Sequence, residues 1–195
     1  MGLGESLESH VNAEGETYLR RMLRAGEHIP SITDTVGEFL DVLEGSSEPA
    51  LYPVELNTVL MNEIDKARSA YEDTTITTTG DINSDRQVAA TDLLSSVFRN
   101  LLNNAVLHND KSEPEITVHV EDNGDTATVR IADNGPGIPD KQKSKIFGRD
   151  ELGLESPGSG IGLYLVDTLV EMYDGEVVGE DNDPEGSVFS ITLST

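Results

Sequence analysis

The chain has 195 residues, enough for one domain and a small appendage or for two small domains. Its 37 acidic residues against 13 basic ones give a formal charge of −24, and a surface this negative repels nucleic-acid phosphates and anionic lipid. It has no cysteine, which excludes disulfides and thiolate metal sites.

The acid is spread along the chain, and only five of the basic residues are lysine. That pattern suits concentrated salt, where a Debye length of roughly 3 Å at 1 M screens self-repulsion. A halophilic, haloarchaeal source is therefore expected. No apolar run reaches the length of a membrane span, and no secretory leader pattern opens the chain. The expected location is the cytoplasm, with no direct membrane contact and no nucleic-acid partner.

Residues 17–43 read as a helix. Met22, Ile29, Val36 and Leu43 fall seven apart, and Tyr18, Ala25, Ile32 and Phe39 fill the positions between. This spacing sustains one apolar seam, as in a helical hairpin, although Gly26 and Pro30 weaken it. Gly45, Ser46, Ser47 and Pro49 form a break, which places a boundary near residue 50: a helical segment over 1–50 and a second domain over 51–195.

Val54 to Ala70 reads as a helix, with Leu56, Val59, Leu60 and Ile64 on one face. Thr74 to Thr79 is β-branched and reads as a strand. Asp92 to Asn109 is a strongly periodic helix. Glu115 to Val120 and Thr126 to Ile131 alternate around Asn123-Gly124, a hairpin turn signal. Ile161 to Tyr173 reads as a further helix, and Gly175 to Val178 and Ser187 to Leu193 as two more strands. The elements mix without a regular β-α-β rhythm. An α/β class follows: a two-layer sandwich, one mixed sheet with helices on one face.

Three segments carry chemistry. Asp133-Asn134-Gly135-Pro136-Gly137 follows a strand. Its glycines let the backbone approach a flat ligand, and Asp133 offers an acceptor suited to an exocyclic amine such as that of adenine. Gly158-Ser159-Gly160-Ile161-Gly162-Leu163 runs into a helix start. Free backbone N–H groups and the helix dipole favour an anion there, and triphosphate is the natural ligand. Neither a Rossmann nor a Walker reading fits this segment, because no strand directly precedes it and no Gly-Lys-Ser/Thr follows. In Asn100-Leu101-Leu102-Asn103-Asn104, Asn100 and Asn104 stand one turn apart on one face, and an amide oxygen suits Mg²⁺. Each segment alone has a bland reading as a glycine turn, a flexible helix cap or a solvated polar face.

In this order and spacing the three segments resemble the N, G1 and G2 boxes of the Bergerat-fold ATPases. That superfamily joins histidine kinases with DNA gyrase, ninety-kilodalton heat-shock chaperones and mismatch-repair ATPases. The resemblance implies that Asn104 holds Mg²⁺, that Asp133 reads adenine, that Gly135, Gly137 and Ile138 shape the base pocket, and that Gly158, Ser159, Gly160, Ile161, Gly162 and Leu163 close on the phosphates of ATP. Ile146-Phe147 looks like the short F box, with Phe147 at the pocket, residues 148–159 look like a mobile lid, and Gly186-Ser187-Val188-Phe189 like the last strand of the family. Arg149, the one cation in that lid, suits a phosphate contact.

Hydrolases of the superfamily commonly place a glutamate where this chain has Asn100. An amide is no general base at neutral pH, which disfavours fast hydrolysis and favours transfer to an acceptor. On this reading Asn100 and Asn104 are the catalytic pair. The run NLLNNAVLHN and the helical seam resemble sensor histidine kinases, which dimerise through such helices and pass phosphoryl groups to a response regulator. The lysine usual three residues after the Mg²⁺ asparagine is Leu107 here, and His108 follows beside the nucleotide. Neither His10 nor His28 has the sequence context of a phosphoacceptor, and His119 reads as structural. The alternatives are a kinase-like regulatory module without its own acceptor, and a conformational ATPase.

Overall fold

The computed structural model describes residues 50–143, 146–147 and 161–195. Residues 1–49 of the helical segment expected over 1–50, with His10 and His28, lie outside them, as do Lys145, Arg149, Gly158, Ser159 and Gly160 and the side chain of Ile161.

Chain order runs β1 (Tyr52–Glu55), α1 (Leu56–Ala70), β2 (Thr75–Gly80), β3 (Gln87–Ala90), α2 (Leu94–Leu107), β4 (Glu115–Asp122), β5 (Thr126–Asp133), α3 (Asp140–Lys143), α4 (Ile161–Met172), β6 (Glu176–Asp181) and β7 (Ser187–Ser194). A five-stranded sheet has the order β2-β4-β5-β7-β6. Only β2 and β4 run parallel; the other neighbours are antiparallel, so the sheet is mixed.

Strand alternation decides which face is covered. Ile116, Val118 and Val120 of β4, Ala127, Val129 and Ile131 of β5, and Phe189, Ile191 and Leu193 of β7 are buried, while their neighbours in sequence are more exposed. The stripes of the three long helices pack on that face. They are Leu56, Leu60 and Ile64 of α1, Leu94, Val97, Phe98, Leu101 and Leu102 of α2, and Leu165, Val166, Leu169 and Val170 of α4, all joined in one core. Each such leucine contributes about 1.5–3 kcal/mol by leaving water. The two-layer sandwich expected from the sequence is the fold observed.

The opposite face carries hydroxyls and charges. The Thr77 and Thr117 hydroxyls meet at 3.2 Å, and Thr79 Oγ1 lies 2.9 Å from His119 Nδ1, the structural placement expected for that histidine. In the β4–β5 turn Gly124 has φ +87°, and the Asn123 N–H donates to the Thr126 carbonyl at 2.9 Å.

Two local expectations are corrected. Val54 belongs to a strand, not a helix: β1 pairs antiparallel with β3, with Val54 opposite Val88. Pro53 lacks an amide donor, and a two-stranded ribbon tolerates it because only one edge needs pairing. The second long helix starts at Leu94 rather than Asp92, because the Thr91 hydroxyl accepts from the Leu93 N–H at 3.2 Å and the Thr91 carbonyl from the Leu94 N–H at 3.1 Å.

Candidate functional site

The site is built outward from the end of β5. Period-two alternation puts Asp133 on the same face as Val129 and Ile131, so its side chain points under the helices although the strand ends there. Asp133 is 7% exposed. Its Oδ1 accepts from the Gly135 N–H at 2.8 Å and the Ser187 N–H at 3.3 Å, and its Oδ2 accepts from the Ser187 hydroxyl at 2.6 Å. Its backbone carbonyl accepts from the Asn182 amide at 2.8 Å. A buried carboxyl needs such donors, and these also fix its orientation.

Two glycines make that arrangement possible. At Gly186 φ is +115°, and an added Cβ would stand 1.9 Å from the Asp133 carbonyl oxygen. At Gly137 φ is +73°, and a Cβ would stand 2.9 Å from the Gly186 carbonyl. The backbones of the β5 exit and the β7 entry therefore touch where no side chain fits.

Asp133 opens on a cleft of about 280 Å³. Ser187 and Phe189 line it from β7, Asn104 from α2, His108 from the cap of α2, and Leu163 from α4. Pro136 to Pro139, Gln142 and Ile146 form the remaining wall. Ile138 and Leu163 supply apolar surface to a cleft that also holds the polar edge at Asp133, a lining suited to a flat ring.

The wall around α3 is tied to the sheet. Lys143 Nζ reaches Asp140 Oδ1 at 2.7 Å and Asp181 Oδ2 at 2.5 Å. The Lys143 hydrogen bond holds the Asp140 carboxyl below the usual carboxylate range. The end of α2 is tied to the same loop through buried Asn109, whose Nδ2 donates to Asn134 Oδ1 at 2.9 Å; that oxygen also accepts from the Glu115 N–H at 3.0 Å.

Among the residues expected from the sequence, Asn104, His108, Asp133, Gly137, Ile138 and Leu163 meet at the cleft. Gly135 lies directly behind Asp133, 2.9 Å from Oδ1 once a Cβ is added. Phe147 is not in the lining. It packs against the core with its ring edge-on to Phe189, centroids 6.2 Å apart, and Phe189 and Ile146 face the cleft instead. Asn100 is buried one turn below Asn104, donates to the Ser96 carbonyl at 2.8 Å and does not line the cleft. Gly162 faces Asn100. Sequence reading passed over Asn109, Asn134, Gln142 and Asn182, and gave Ser187 no role at Asp133. For Ser187 the available signal was its place in Gly186-Ser187-Val188-Phe189, the segment that resembles the last strand of the family.

The family model for histidine kinase-, DNA gyrase B- and HSP90-like ATPases matches residues 89–195, from the end of β3 through the whole cleft. The chain belongs to this family. Its relatives within the histidine kinase-, DNA gyrase B- and HSP90-like ATPases include sensor histidine kinases. The chain is similar to the Escherichia coli (strain K12) sensor histidine kinase DpiB, 36% identical over 107 residues that cover 51% of this chain and 19% of DpiB. It thus spans about a fifth of the length of the curated relatives it matches. The mycobacterial sensor histidine kinase MprB superposes with a TM-score of 0.65 at 25% identity, covering 73% of this chain and 97% of that one. Full-length ShkA, solved in complex with AMPPNP, superposes with a TM-score of 0.68 at 23% identity over 98% of this chain and 42% of its own, a likeness of fold. Residues 89–195 are thus an ATP-binding catalytic domain of the sensor-histidine-kinase type. Among the described residues no helix is long and apolar enough to cross a membrane.

Proposed function

We propose that this chain is the ATP-binding part of a two-component sensor histidine kinase that directs the ATP γ-phosphoryl group to a histidine and from there to a response regulator. The observation that carries the reading is a fixed Asp133 acceptor and the Asn104 amide lining the same cleft. An adenine amine donates to Asp133, the ring lies between Ile138 and Leu163, and the phosphates run toward Asn104 and the head of α4.

Magnesium fits the donor set as an ion carried by the nucleotide. Asn104 lines the cleft, and among the described residues its Nδ2 is buried without a hydrogen-bond partner. Among the described residues no group of three or more His, Asp or Glu side chains could hold a metal. A cation here would take one amide oxygen from Asn104 and its other ligands from phosphate and water, as Mg²⁺ commonly does. Bound there, it would neutralise charge on the phosphates during transfer.

Asn100 supports transfer over hydrolysis. It is a buried amide committed to Ser96, with no capacity to take a proton from water at neutral pH. Homodimerisation through helices in residues 1–50 completes the proposal.

The test is incubation of the chain with γ-labelled ATP and Mg²⁺ in high salt, with and without a separate histidine-bearing helical hairpin. Acid-labile label on the hairpin is the expected result. Steady release of free phosphate instead would mark a conformational ATPase, and nucleotide-dependent partner capture without either would mark a regulatory module. Asn104→Asp and Asp133→Asn should each weaken nucleotide binding by about tenfold or more; unchanged affinity in both refutes the site.

A further inference from the structure

We propose that Asn100 is a positioning residue that sets where the head of α4 rests on α2, and that residue 162 is glycine because the Asn100 side chain fills the space beside it. The inference rests on the nucleotide reading above and concerns its phosphate side.

Gly162 lies in the first turn of α4 in ordinary helical conformation, unlike Gly137 or Gly186. Its backbone does not require glycine, and alanine would be the better helix former. The demand comes from outside the helix. A Cβ on Gly162 would stand 2.7 Å from Asn100 Oδ1 and 3.6 Å from its Cγ. That oxygen cannot swing aside freely, because Asn100 is 7% exposed and its amide nitrogen is held by the Ser96 carbonyl at 2.8 Å. Asparagine is itself a poor choice inside a helix. Two unfavourable helix residues on different helices, each explained by the other, mark a closely fitted contact.

The contact lies directly below the cleft. Asn104 is one turn above Asn100, and Leu163 follows Gly162; both line the cleft. A methyl group at residue 162 has to push α4 away from α2, since packed interiors yield by moving whole elements. That shift separates the Asn104 amide from the N–H groups that open α4. The base side keeps its anchor on β5 and β7 and meets α4 at Leu163, so it should change less than the phosphate side. Gly162 thus serves the phosphate end through its fit to Asn100, whatever room it also leaves for the phosphates.

The test is a double-mutant cycle on the full chain with two probes, Mg²⁺-AMPPNP and adenosine. Gly162→Ala should weaken AMPPNP binding by about tenfold while adenosine affinity changes by less than about threefold. Adding Asn100→Ala should make room for the methyl and return AMPPNP affinity to within about threefold of Asn100→Ala alone. The ligand-free melting temperature should follow the same pattern, lowered by Gly162→Ala and recovered in the double variant. A double variant as weak as Gly162→Ala overturns the inference, as does a Gly162→Ala chain that binds AMPPNP normally. If Gly162→Ala does not fold, failure of Asn100→Ala to restore folding overturns it too. A wild-type chain that binds neither probe removes the nucleotide reading and this inference with it, an outcome distinct from loss confined to the variants.

Discussion

Gly186 and Gly124 both have positive φ, so alanine at each separates backbone strain from collision. At Gly124, φ +87°, an added Cβ meets nothing within 4 Å. The cost there is conformational, about 1–3 kcal/mol. At Gly186, φ +115°, the same strain applies, and the Cβ would also stand 1.9 Å from the Asp133 carbonyl oxygen, 2.8 Å from its carbon and 3.2 Å from Asn134 Cα. These are backbone atoms in a paired strand, so β7 must peel from β5 at that end. The forced displacement adds about 1–3 kcal/mol. Loss of the two Ser187 bonds to the Asp133 carboxyl adds about 1.5–3 kcal/mol more. Gly186→Ala should therefore cost roughly 3 kcal/mol or more beyond Gly124→Ala, out of a total stability of about 5–15 kcal/mol. Urea titration resolves this as a midpoint lower by about 1–3 M, given a slope of about 1–3 kcal/mol/M. Nucleotide affinity should fall with Gly186→Ala and hold with Gly124→Ala. Equal midpoints for the two variants, or retained affinity in Gly186→Ala, would show that the backbone contact at Asp133 is not what orders this end of the sheet.

Further outcomes follow from single contacts. Ser187→Ala removes the hydroxyl that donates to Asp133 Oδ2 while keeping the backbone donor, and should cost about 1–3 kcal/mol in urea titrations together with a measurable loss of nucleotide affinity. Asp122 is held below the usual carboxylate range, first by the Arg86 hydrogen bond and then by the Gly124 N–H. Because its folded value is depressed, this contribution is present above the ordinary carboxylate range and is lost as pH falls through the folded value. Arg86→Gln should therefore lower the melting temperature at neutral pH, and the gap to the parent chain should close on acidification. With a net charge of −24, the melting temperature should rise as KCl goes from low to molar concentration; a fall would refute the salt-adapted reading.

Much of the site was legible because its residues sit at places where local rules are strong. Asp133 ends an alternating strand, so its side and direction followed from period two, and Asn104 lies on a helix whose apolar stripe is unmistakable. The partners that hold Asp133 were not legible as such. Ser187 reaches it only through the pairing of β5 with β7, where Ile131 faces Phe189 and Ala132 faces Val188 across more than fifty residues of chain. No local pattern announces that register. The β1–β3 ribbon escaped for a related reason: four-residue strands carry too few alternations to outweigh the apolar spacing of Val54 with Leu56 and Leu60. The single turn of α3, Asp-Lys-Gln-Lys, has no apolar period at all. Phe147 was assigned to the cleft from its resemblance to a motif, whereas it is Phe189, buried in the core, that lines the cleft, with Phe147 packed against it in a T-shaped contact.

The carboxyl of Asp133 has its rotamer chosen before anything arrives. A partner docking there need not freeze that side chain, which spares about 0.5–1.5 kcal/mol of ordering entropy, or roughly two- to twelvefold in affinity. The same fixity is selective, since both oxygens already serve only as acceptors and an incoming edge that offers another acceptor meets repulsion with no means of adjustment.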